Sequence, residues 1–165
     1  MKTLFLVRHA KSSWDFPELS DKERPLNKRG NKNAPAMAKY LNKRIVPPDV
    51  IICSPSRRTH ETAKYFIKRF GYDQNQIVYK EELYHAYKSD FEGVISQIDN
   101  VNESAMLFAH NPGITDYVSE LTGQFFDNIP TCGVVSIGLN TDDWRNIGII
   151  KGELNFYYYP KGIKT

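Results

Sequence analysis

The 165-residue sequence is short of several things, and each shortage narrows what the chain can be. It has two cysteines, Cys53 and Cys132, at no metal-binding spacing. A disulfide-stapled scaffold is therefore disfavoured, and both thiols are expected reduced in or near the core. Histidine is scarce too: His60-Glu61 begins like a zinc-protease motif, but the second histidine would fall at residue 64, which is Lys64. No metal or other cofactor is expected. Apolar runs such as LFLV and VII are too short to cross a bilayer, and the N-terminus lacks the pattern of a signal peptide, so a cytoplasmic address and no membrane partner are expected. A net charge of only +3, without basic stripes, speaks against a nucleic-acid partner but is compatible with an anionic substrate. No repeat, low-complexity tract or Gly/Ser linker divides the chain, so one domain over residues 1–165 is expected.

What is present alternates strand and helix. A first strand at 3–7 leads into the turn-rich stretch DKERPLNKRG. A helix is predicted from an N-cap at Asn27 to Arg44, with Ala34, Met37, Ala38 and Leu41 forming an apolar face. A buried strand at 50–53 follows, then a helix from Ser54-Pro55 to Phe70 that stops at Gly71. A strand at 77–79, a helix at 90–98, a strand at 105–109 and a helix from Asn111-Pro112 to Gly123 come next. The last third reads as strands in hairpin relation, VVSIGL, IGII and LNFYYY. This order implies a three-layer α/β/α sandwich on a mostly parallel mixed sheet with at least one antiparallel strand.

Several strands end alike. The first runs into Arg8-His9, the second into Ser54-Pro55-Ser56-Arg57-Arg58, and the 105–109 strand into His110-Asn111-Pro112-Gly113. The last two pair an N-cap residue with proline at the predicted first helical position, which aims backbone N–H groups and a helix dipole beyond the strand. Ligands of α/β sheets collect at the carboxyl ends of the strands, so Arg8, His9, Arg58 and His110 can converge there. Two arginines fork onto phosphate oxygens, a neutral histidine can accept a phosphoryl group, and the second histidine can donate a hydrogen bond to it.

The motifs carrying these residues, LVRHAKSSW, CSPSRRTHETA and AHNPGIT, together with ERPLNKRG and PTCGVVSI, resemble those of the histidine phosphatase superfamily, which includes the cofactor-dependent phosphoglycerate mutases. The short length and the closing YYPKG resemble its SixA-type phosphohistidine phosphatase branch. The resemblance implies a phosphoglycerate mutase-like fold, His9 as phosphorylated nucleophile, Arg8 and Arg58 as phosphate clamps, and His110 completing the pocket. Arg58 rather than Arg57 aligns with the family arginine. Asp15 stands where many relatives have a phosphate-contacting asparagine, and with Arg24 and Asn111 it is carried as a phosphate- or substrate-binding candidate. Candidates for a leaving-group acid are Glu82 and His85. The implied activity is a metal-independent phosphatase acting on phosphohistidine in a protein. A general phosphatase of small phosphate esters and a catalytically silent phosphate-binding module are the alternatives.

Overall fold

The run LFLV is apolar at every position because its strand is covered on both faces. In the computed structural model, which describes residues 1–163, β1 (Lys2–Arg8) lies inside a six-stranded sheet. The other elements are α1 (Lys28–Asn42), β2 (Val50–Cys53), α2 (Arg57–Phe70), β3 (Ile77–Tyr79), α3 (Lys88–Ser96), β4 (Ser104–Ala109), α4 (Gly113–Thr122), β5 (Val134–Leu139) and β6 (Gly152–Tyr158). The strand order is β3-β2-β4-β1-β5-β6. β1 pairs parallel with β4, β4 with β2, and β2 with β3, while β5 runs antiparallel to both β1 and β6.

Strand periodicity divides the interior. Phe5 and Val7 join Met37 and Leu41 of α1 and Phe66 and Ile67 of α2 in one core; Leu4 and Leu6 join Phe91 of α3 and Ile114 and Val118 of α4 in the other. The α/β/α layering expected from the sequence follows. Cys53 and Cys132 are free and buried.

Three local readings change. The segment IGII is not a strand: Trp144–Gly148 forms a 3₁₀ turn, held by the Asp143 cap and by the Trp144 indole N–H donating to Asn102 O at 2.8 Å. Trp144 and Ile147 are buried by that turn while Ile149 is exposed, so tertiary packing outweighs the apolar pattern. α2 starts behind Ser56 rather than Ser54, because Ser54 still pairs with the sheet through its N–H to Phe108 O. α4 starts at Gly113, with Pro112 as its cap instead of its first residue.

One close approach fixes the loop after β1. A Cβ on Gly30 would sit 2.2 Å from Lys11 O, so only glycine lets α1 dock on that backbone, and the Asn27 N–H donates to Lys11 O nearby. Gly30→Ala should therefore destabilise the protein by about 2 kcal/mol through overpacking. Gly93→Ala, mid-helix in α3 with open space around the added methyl, should leave stability unchanged or raise it by up to about 1 kcal/mol. Urea unfolding of the two variants measures the contrast.

Candidate active site

The carboxyl ends of three adjacent parallel strands, β2, β4 and β1, carry Ser54, His110 and Arg8-His9. Backbone bonds fix the turn that each makes. The His9 N–H donates to Ala109 O, and the Cys132 N–H donates to both Arg8 O and His9 O, at 3.1 and 3.0 Å. Cys132 adopts left-handed backbone (φ +62°) to do so, and a Cβ on the following Gly133 would meet Pro130 O at 2.8 Å. On the other side, the Ala10 N–H donates to Thr62 Oγ1 of α2 at 3.0 Å.

The structure brings His9 and His110 to a ring separation of 5.3 Å, and both are buried. His9 Nδ1 lies 2.7 Å from Ala10 O. A carbonyl only accepts, so Nδ1 carries the proton and Nε2 keeps its lone pair. Burial pushes the His9 pKa down to about 3, and the charges of Arg58 and Arg8 add to this against the Ala10 hydrogen bond. His110 Nε2 lies 2.8 Å from Ser54 Oγ. Its pKa is also lowered, by burial first and then by His9 and Arg58.

Arg58 is buried, whereas Arg57 is exposed and pairs with Glu61. Arg58 Nη1 donates to Asp21 O at 2.7 Å and Nη2 to Asp21 Oδ2 at 3.0 Å, while Arg8 Nη1 donates to Ile129 O at 2.8 Å. The Nε of each arginine and Nδ1 of His110 are buried and have no partner among the described residues. Buried polar groups are almost always paired, so three such nitrogens on side chains surrounding one imidazole fit an anion-binding centre.

The sequence reading missed Asp21. Its carboxylate accepts hydrogen bonds from Arg58, from Arg24 Nε and Nη2 at 3.2 Å, and from the Tyr84 hydroxyl. Burial pushes its pKa up, but the Tyr84 and Arg58 hydrogen bonds and the Arg58 charge outweigh that and hold the carboxyl ionised well below the usual range. Within DKERPLNKRG its charge reads as one of a solvated run. The DxxR spacing on a turn was the available signal.

Other candidates divide. Arg24 is buried, but its nitrogens are committed to Asp21, Ser12 Oγ and Ser13 O, and its guanidinium stacks 3.7 Å from the Trp14 ring. The Asn111 amide is engaged within the protein: it donates to Asn128 Oδ1 and Ile129 O and accepts from Thr115 N and Oγ1, bracing the carbonyl that holds Arg8. Asp15 is exposed and lines a groove with Lys28, Arg29 and Lys32, and no hydrogen bond joins it to the histidine cluster. Glu82 is exposed with no hydrogen bond to the cluster. His85, with left-handed backbone (φ +59°), packs on Tyr84 and lines one groove with His110. Among the described residues no group of three or more His, Cys, Asp or Glu could hold a metal ion, and no helix is long and apolar enough to cross a membrane.

The sequence model of the histidine phosphatase superfamily (branch 1) matches residues 4–120. An uncharacterised chloroplastic protein of Arabidopsis thaliana is 28% identical over 159 residues, covering 92% of this chain and 72% of that protein. A candidate SixA phosphohistidine phosphatase from Agrobacterium tumefaciens superposes with a TM-score of 0.81 at 26% identity, covering 96% of this chain and 98% of its own. The protein histidine phosphatase SixA complexed with tungstate gives a TM-score of 0.84 at 22% identity, covering 98% and 99%, a likeness of fold.

Because the folded pKa of His9 lies below its unfolded value near 6.5, the unfolded chain binds more protons below that pH. His9 therefore contributes no penalty above pH 6.5, and stability is lost as pH falls from 6.5 towards about 3. Urea titrations at pH 7 and pH 5 should show a loss that shrinks by up to about 2 kcal/mol in His9→Gln. An unchanged loss in that variant would mean that His9 is not held neutral.

Proposed function

The chain belongs to the histidine phosphatase superfamily, and on that premise we propose that it removes phosphoryl groups through a phosphohistidine intermediate on His9, with phosphohistidine in a protein as substrate. The observation that carries this reading is the unprotonated His9 Nε2 beside the unpartnered nitrogens of Arg8, Arg58 and His110. His9 Nε2 attacks phosphorus in line. A new P–N bond forms as the substrate's P–N bond breaks, and the electrons of the broken bond stay on the leaving nitrogen. The arginine and His110 N–H groups take up the charge on the phosphoryl oxygens. Water then attacks phosphorus, the P–Nε2 electrons return to His9, and inorganic phosphate departs.

The leaving group separates the two enzymatic readings. The carboxylate bonded into the cluster, Asp21, is held ionised and cannot donate a proton. An alkoxide needs such a donor, whereas a protonated imidazole leaves without one. This supports a P–N substrate. The position of His85 beside His110 favours the second reading, a general phosphomonoesterase with His85 as acid.

His9→Ala should abolish turnover, a loss of at least about 10⁴-fold, and rapid quenching of the wild type under alkaline conditions should trap phosphate on His9. Label on any other residue would sink the mechanism. Initial rates on a phosphohistidine protein should exceed those on a panel of phosphorylated metabolites, and the reverse order together with a heavy kcat loss in His85→Gln would establish the second reading.

A further inference from the structure

A groove of about 260 Å³ leads away from His110, between residues 85–88 and one face of α4. Gly113, Asp116, Tyr117 and Glu120 share that face at helical spacing. A Cβ on Gly113 would lie 2.3 Å from Ala86 O, so the two walls are in backbone contact at one point. Two buried polar groups of the lining have no partner among the described residues, His110 Nδ1 and the Tyr117 hydroxyl. Tyr117 is stacked on Phe91 at 4.9 Å and only 2% exposed, so its hydroxyl has no easy route to bulk water.

Charge changes sign along the groove. Lys88 is matched by Glu120 at 2.7 Å, and the Asp116 carboxylate makes no hydrogen bond or ion pair among the described residues. The end beyond His110 is therefore anionic, whereas on the phosphoryl side Arg8, Arg24 and Arg58 outnumber Asp21. A molecule spanning both ends is best bound when it is negative at phosphorus and positive at the Asp116 end.

We propose that this groove is the leaving-group subsite and that it takes an imidazole ring whose distal N–H is held by Asp116. The inference rests on the phosphohistidine reading above and names the residues that would select it. A ring protonated at the distal nitrogen matches the anionic end, and the volume is below that usual for a whole metabolite or drug-sized ligand. Asp116 accepts the distal N–H as the P–N bond breaks. The bond electrons return to the nitrogen that carried phosphorus, and the imidazole leaves neutral with its distal proton in place. Leaving groups that bear a carboxylate or a second phosphate would meet Asp116 as a like charge.

The test is the ratio of kcat/KM for N-phosphoimidazole to that for p-nitrophenyl phosphate. In Asp116→Asn this ratio should fall about tenfold, the worth of one charge-assisted hydrogen bond, and Asp116→Glu should restore part of it. Imidazole should inhibit the wild type, and its inhibition constant should rise by a similar factor in Asp116→Asn. Asp116 is exposed, so neither substitution threatens the core. An unchanged ratio with an unchanged inhibition constant overturns the subsite while leaving the phosphatase reading intact. A wild type that hydrolyses p-nitrophenyl phosphate but not N-phosphoimidazole overturns the phosphohistidine reading and the subsite with it.

Discussion

Three guanidiniums packed beside two uncharged imidazoles need an anion of the protein's own, and Asp21 supplies it. Taking charges out of water costs several kcal/mol per ion unless a partner with good geometry offsets it. One carboxylate, hydrogen-bonded by Arg58, Arg24 and Tyr84, meets that need and in doing so ties the turn at residues 21–23 to α2 and to the segment after β3. The arrangement leaves the Nε groups of Arg8 and Arg58 unmatched among the described residues. A phosphoryl dianion would supply charge that Asp21 alone does not, which is how a site can be stable by itself and still attract an anion.

Hydrogen bonds to its backbone, together with the packing of Val7 and Ala10, hold the carboxyl end of β1 in place. Cys132 gathers the carbonyls of Arg8 and His9, Thr62 takes the amide of Ala10, and Gly30 admits α1 against Lys11. Ile129 O serves both Arg8 and Asn111. Each contact comes from a different segment, so the position of His9 depends on α1, α2 and the approach to β5 together. The proposed displacement at phosphorus would require such precision, since small misplacements cost heavily.

Much of this was legible because strand and helix periodicity are local. The buried run LFLV, the N-cap at Asn27 and the stop at Gly71 are each decided within a few residues, and they lie where the sequence puts them. Arg58 was told from Arg57 by its place in the motif, and the fold buries Arg58 and exposes Arg57. Asp21 was hidden because a carboxylate in a charged loop acquires meaning only from partners far along the chain, Arg58 and Tyr84. The acceptors of the Asn111 amide, Asn128 and Ile129, were hidden for the same reason, since both lie outside its own motif. IGII carried a strand-like pattern that the Trp144 hydrogen bond overrode.

The same distinction between kinds of partner separates the two central histidines. His9 Nδ1 faces a carbonyl, which cannot donate, so its tautomer is forced and Nε2 keeps its lone pair. His110 Nε2 faces the hydroxyl of Ser54, which can donate or accept, so its proton can sit on either nitrogen. An anion beside the unpartnered Nδ1 selects the tautomer in which Ser54 donates to Nε2 and Nδ1 presents N–H. It also raises the pKa that burial and the neighbouring cations depress, since a nearby negative charge favours the protonated ring. In the proposed mechanism a fixed acceptor thus makes one imidazole the electron-pair donor, and an adaptable hydroxyl lets the other donate a hydrogen bond to phosphate. Residue type alone could not assign those parts. The partner atoms, a main-chain oxygen and a serine hydroxyl, set which nitrogen of each ring is left free.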